Sequence, residues 1–443
     1  MPGFWPVALR TALCPGLPAL GRGGYLVNTP TRSDLFYVFG RIGLLSFGGP
    51  AAQIALMHRE LVEERPWLDE KTFLRALSLC MLLPGPEAMQ LATYAGWRLH
   101  GVWGGLIAGL LFVLPGAIVI AALVALYAAF GDVPLIQAAF VGIKAAVIVI
   151  VLQALYRVAH KALTGATAIA MAGLAFLAIF IFDLPFPLII LTAAVWGYLT
   201  AKGTRDPKSR PSTSTPMPWR TALFCAAAWL VPLGILSVAG PPLLAQIGWF
   251  FAKLAVVTFG GAYAVLAYMT QTVAFDFNWI STEQMIDALG LAETTPGPLI
   301  LVTQFVAMLT GYLQNGPAMA IAAGLVALWA TFVPCFLWIF VAGPYLDLIA
   351  DRPRLSSALA GITAAVVGVI LNLSVWFALH VLFAEVVQWS VGPIRLPVPV
   401  WSSLQFGAGL LVALAAALML GARLGLAQSL GILALAGIGL SLI

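Results

Sequence analysis

The chain has 443 residues, of which 62% are hydrophobic and only 9% charged, and its mean hydropathy is +1.01. Soluble globular chains carry about 25% charged residues, so this one lacks the polar surface needed to face water. The net charge of +5 and pI near 9.1 do not mark a nucleic-acid partner, because the basic residues are scattered through short loops.

Residues 1–34 hold three Arg with several Pro and Gly but no long apolar core, so they read as a cytoplasmic leader and not a cleaved signal peptide. Apolar stretches follow at 35–57, 73–99, 102–128, 134–160, 165–182 and 186–201. The segment 202–220, rich in Pro, Ser, Thr and Lys, reads as a flexible linker. Further apolar stretches lie at 221–239, 245–270, 283–313, 316–342, 355–384, 400–420 and 424–443. A crossing takes about 20 apolar residues, so the expectation is an all-α polytopic membrane protein with about thirteen transmembrane segments. Lys and Arg mark cytoplasmic loops, which places the leader and linker inside, with Arg395 and the loop from Arg59 to Lys71 outside.

The two halves repeat each other. Phe39-Gly-Arg-Ile-Gly-Leu-Leu-Ser-Phe-Gly-Gly49 aligns with Phe251-Ala-Lys-Leu-Ala-Val-Val-Thr-Phe-Gly-Gly261. The same offset of 212, without a gap, pairs Trp67 with Trp279 and Pro84-Gly85-Pro86 with Pro296-Gly297-Pro298. The domain reading is therefore a first repeat at 35–201, the linker at 202–220, an extra helix at 221–244 and a second repeat at 245–443. One extra crossing turns the second copy upside down, and inverted repeats with a midplane site are a recurring transporter architecture.

Helix breakers interrupt both copies: Gly48, Gly49 and Pro50, Pro84-Gly85-Pro86, Gly260-Gly261, and Pro296-Gly297-Pro298. Pro removes a backbone donor, and unpaired backbone survives at membrane depth only inside protein or beside water. A half-helix starting after each Pro-Gly-Pro would point its positive end at an anion; a tight packing loop is the plainer alternative. Arg41 and Lys253 hold the same repeat position, where intramembrane charge is costly and functional by default, although each could snorkel to an interface. Ser46 and Thr258 are equivalent hydroxyls beside the glycines, and either could instead bond the preceding turn. Gln90 follows the first Pro-Gly-Pro turn, as Gln304 follows the second; Glu87 and Glu293 are candidates for a coupling proton or, for Glu87, a helix start. No zinc-ligand spacing or phosphate loop is present, so no metal, cofactor or catalytic residue is expected.

The blocks Ser46-Phe-Gly-Gly-Pro-Ala-Ala52 and Leu83-Pro-Gly-Pro-Glu-Ala88, echoed in the second half, resemble the chromate ion transporter family in its long two-domain form. Ala262 stands where the first copy has Pro50, and Thr295 where it has Leu83. The resemblance implies efflux of chromate across the bacterial inner membrane, with sulfate as the competing look-alike and the lipid bilayer as surroundings. A transporter for sulfate or another oxyanion, and an anion channel, stay open at this point, as does a homodimer.

Overall fold

In the computed structural model, residues 30–47, 49–131, 133–201, 219–259, 262–345, 353–392 and 394–442 are described. Gly48, Gly260, Gly261, the leader 1–29, the linker residues 202–218 and Arg352 lie outside them. The described residues form a bundle of helices carrying one small hairpin. The first half runs α1 (Arg32–Leu45), α2 (Gly49–His58, extended by a π-turn at Arg59–Glu64), α3 (Glu70–Leu82), α4 (Glu87–Phe130), α5 (Pro134–Ala162), α6 (Ala166–Phe180) and α7 (Phe186–Thr200). After α8 (Trp219–Ala239) come α9 (Pro242–Val257), α10 (Ala262–Gln271, with a π-turn at Thr272–Asp276), α11 (Thr282–Thr294) and α12 (Val302–Ala342, entered through a 3₁₀ turn at Leu299–Leu301). The chain closes with α13 (Pro353–Leu382), β1 (Val386–Val391), β2 (Ile394–Pro399), α14 (Phe406–Ala416) and α15 (Leu426–Ser441).

The offset of 212 seen in sequence holds in backbone detail. Residues 70–82 of α3 answer 282–294 of α11, and 87–130 of α4 answer 299–342 of α12 with its 3₁₀ turn. The helix starts are specified locally: Asp69 accepts from the Thr72 amide at 2.9 Å, and Ser281 forms a capping box with Gln284. Trp67 N–H donates to the Leu61 carbonyl and Trp279 N–H to the Val273 carbonyl, both at 3.0 Å.

Length alone shows that α4 cannot be straight. Its 44 residues would span about 66 Å, twice the hydrocarbon thickness. It leaves helical geometry at His100 and Gly101, and a Cβ at Gly109 would lie 2.5 Å from the Thr93 hydroxyl, so the arms fold back against each other. α12 does the same at Asn315 and Gly316, where Gly311 packs on the Met319 carbonyl. Both fold-backs fall in the gaps between expected stretches, at 99–102 and 313–316.

The stretches expected at 35–57 and 245–270 are also broken and folded back. Arg41 on α1 reaches Glu60 beyond the break at 3.5 Å, and the Phe250 ring on α9 lies 6.1 Å from Tyr268 on α10. Elsewhere the His100 ring donates to the Pro30 carbonyl, and His58 sits 2.7 Å from Glu70. Residues 127, 183, 271, 287 and 395 are linked in two other groups, through Tyr127–Asp287 and through Asp183 with Gln271 and Arg395.

Glycines let the backbones approach: a Cβ on Gly142 would strike the Leu433 carbonyl, and one on Gly368 the Ala172 carbonyl. Among the described residues, five helices are long and apolar enough to cross a membrane, and five shorter apolar helices accompany them. Of these, α8 buries only 11% of its apolar window, which leaves Phe224 and Val238 facing outward as lipid-exposed side chains would. The all-helical expectation holds apart from the hairpin, which lies just before the stretch read as 400–420. Val386-Val-Gln-Trp-Ser-Val391 carries β-formers, and Gly392 at φ 59° turns the chain.

Candidate functional site

The breaks meet in two cross-repeat pairs. Gly85 N–H donates to the Thr258 carbonyl at 2.8 Å, and Gly297 N–H donates to the Ser46 carbonyl at 2.9 Å. Gly85 is the counterpart of Gly297, and Ser46 of Thr258, so the two bonds are exchanged between the repeats. Both glycines sit at positive φ, 117° and 88°, a region open to Gly and strained for other residues. Around them Pro84, Pro86, Pro296 and Pro298 are buried, and a Cβ on Gly116 of α4 would meet the Pro296 carbonyl.

The polar groups here are occupied in matched fashion. The Ser46 hydroxyl donates to the Ile42 carbonyl and the Thr258 hydroxyl to the Leu254 carbonyl, both at 2.6 Å. Each hydroxyl thus spends its proton on the preceding turn, as the plainer reading had it. The Gln90 amide donates to the Pro84 carbonyl at 2.6 Å and Gln304 to the Ala117 carbonyl at 2.9 Å. Pro86 and Pro298 stand at the N-caps of the next helical segments without any side-chain hydrogen bond. Glu87 opens α4 at that start. Glu293 is buried two residues before Thr295 and accepts from the Tyr263 hydroxyl at 2.9 Å.

Arg41 and Lys253 occupy unlike surroundings. Arg41 pairs with Glu60, whose side chain has 0% exposure and also binds Arg65. Lys253 is exposed and lies over the Tyr268 ring, 5.6 Å from its centroid. Gly49 begins α2 at φ 79°.

Two groups escaped sequence reasoning. Gln53 donates to the Gly297 carbonyl at 2.6 Å and to the Ser46 carbonyl at 3.3 Å, tying the first break to the second Pro-Gly-Pro. A buried amide in an apolar helix was the available signal, but its repeat position holds Val265, so symmetry did not pick it out. Asp287 on α11 pairs with Lys144 on α5 at 3.2 Å and accepts from Tyr127 at 2.8 Å. Its repeat position holds Arg75.

A polytopic helical bundle with broken helices meeting at buried, matched turns defines a multi-pass membrane protein of the transporter class. The chain belongs to the chromate transporter family, whose model matches residues 33–198 and 245–440. It is 31% identical over 347 residues to the chromate transport protein of Cupriavidus metallidurans, covering 77% of this chain and 81% of that one. To the chromate transport protein of Pseudomonas aeruginosa it is 33% identical, over 76% of this chain and 79% of the relative. The uncharacterized transporter YwrA of Bacillus subtilis is 30% identical over 168 residues, 37% of this chain but 94% of that protein. No solved structure matches.

Proposed function

We propose that this chain is a secondary active transporter that exports chromate across the bacterial inner membrane, driven by membrane potential, and so confers chromate resistance. Family membership and relatives named as chromate transport proteins support the substrate. The observation that carries the mechanism is the exchanged pair of backbone bonds, Gly85 to Thr258 and Gly297 to Ser46. The anion enters where these tips part, is met by the first-turn amides after Pro86 and Pro298, and has Arg41 and Lys253 to neutralise it. Ser46, Gly49, Pro84, Gly85, Glu87, Gln90, Thr258, Pro296 and Gly297 form the walls. Sulfate competes for the same place because it shares the tetrahedral dianionic shape.

The topology that fits is two inverted repeats, each with two hairpins that enter the membrane and return. The pairs α1–α2 and α3–first arm of α4 enter from the inside; α9–α10 and α11–first arm of α12 enter from the outside. In this topology nine helical arms among the described residues cross fully, in place of thirteen crossings, and α8 inverts the second copy. The domain division proposed with this topology is a leader to residue 34, repeats at 35–201 and 245–443, a linker at 202–220 and the inverting helix at 221–244.

Inverted membrane vesicles containing the protein test the function directly. Saturable chromate accumulation that sulfate suppresses, and that vanishes when the potential is collapsed, is the expected result. Well-inserted protein that moves no chromate would end the chromate reading.

A further inference from the structure

We propose that the cavity between α4, α5, α11 and α13 is a second oxyanion site, in which Lys144 binds the anion while Asp287 takes up one proton. The inference rests on the oxyanion reading above for its ligand class, but on different residues. The cavity measures about 360 Å³ and is lined by Tyr127, Gln137, Lys144, Ser281, Gln284 and His380, among others. Among the described lining residues Lys144 is the one Lys or Arg.

The arrangement holds that cation in reserve. Lys144 Nζ lies 3.2 Å from Asp287 Oδ1, and the Tyr127 hydroxyl donates to Oδ2 at 2.8 Å. The Asp287 side chain is 8% exposed, whereas that of Lys144 is 19% exposed. Both side chains line the cavity, the ammonium being the more exposed of the two. The titratable and charged groups facing Asp287 are Tyr127 from α4, Lys144 from α5, Glu283 from α11 itself and His380 from α13.

An arriving oxyanion competes with Asp287 for Lys144. If the anion wins, a buried carboxylate loses its cation, and an uncompensated buried charge is strongly destabilising. A proton from the aqueous phase removes that penalty: an O–H bond forms on Asp287, Lys144 stays protonated and turns to the anion, and charge balances as one dianion plus one proton. Carboxylate protonation and anion binding thus favour each other. Because α11 ends at the second Pro-Gly-Pro, releasing Asp287 from α5 also loosens the helix that carries that tip.

Equilibrium dialysis of radiolabelled sulfate against the purified full-length protein tests this, read as anions bound per chain across neutral pH. The wild type should bind two, one of them about tenfold more tightly for each unit of pH lost, as uptake of one proton requires. Asp287→Asn should keep both sites and shift less than about twofold per pH unit, since no proton is left to take. Lys144→Gln/Asp287→Asn, which leaves no buried charge unpaired, should bind one anion without that pH dependence. Two anions with the wild-type pH profile in the double variant would overturn the proposal. A wild type that binds one pH-independent anion also overturns it while leaving the tip site standing; a wild type that binds none sinks both readings.

Discussion

Arg41 shows what a symmetry argument sees and what it misses. Its pairing with Lys253 was legible from the 212 offset, but Glu60 was not, because its repeat position holds Thr272. Only the fold-back of α2 brings residue 60 beside residue 41. Arg41→Ala alone therefore leaves the buried Glu60 carboxylate with Arg65 as its cation, at a cost of about 1–3 kcal/mol. Its effect on transport would mix instability with lost binding. Arg41→Ala/Glu60→Gln removes both charges and should restore wild-type protein levels in the membrane while chromate export stays lost. Export recovered with the levels would make Arg41 a structural residue. His58 offers a pH test away from the tips. Its hydrogen bond to Glu70, with the charges of Glu70 and Glu63, raises its pKa above the ordinary value, against partial burial. A raised folded value means that the contribution is complete below about 6.5 and fades as pH rises through the folded pKa. Both partner carboxylates are more than half exposed, so the effect should stay under about 1 kcal/mol. Thermal unfolding of the wild type should show this small loss across neutral pH, and His58→Gln should show none.

Among the elements, the breaks were readable because Pro and Gly announce themselves, and the arms of α4 and α12 separate where the apolar stretches do. Direction was not readable. Hydropathy counts how long an apolar stretch is and says nothing of whether the chain emerges on the far side or returns. The contacts of Arg41 with Glu60 and of Phe250 with Tyr268 bring the two sides of each break together. Single cysteines at Pro66 and Asn278 decide the matter by impermeant labelling. With returning hairpins, residue 66 labels from the side of linker residue 206, and residue 278 from the side of residue 391. If every stretch crosses, both assignments reverse. The tips themselves can be probed at Gly116, where Ala would press on the Pro296 carbonyl. Overpacking of this kind costs about 1–3 kcal/mol, so chromate export by Gly116→Ala should fall about tenfold, with membrane insertion unchanged. Equal export would mean that the second tip does not work against α4.

For the whole molecule, the deciding quantity is the charge moved per turnover. An interior-negative potential contributes about 2.3 kcal/mol per charge per 100 mV. A bare dianion therefore leaves with about 4.6 kcal/mol per 100 mV, an accumulation ratio of roughly two thousand. If the proton taken by Asp287 travels with the anion, one net charge moves and the ratio falls to about fifty per 100 mV. The two cases differ enough to be separated by the steady-state chromate ratio in inverted vesicles clamped at a series of potentials. The Lys144–Asp287 pair joins the first repeat to the second, next to the helix that carries the second tip. A site so placed changes occupancy as the repeats move, so the one-charge slope is expected for the wild type. Asp287→Asn should steepen it to the two-charge slope, because the anion then leaves without its proton. A two-charge slope in both proteins would confine the Asp287 proton to binding and take it out of the transport cycle.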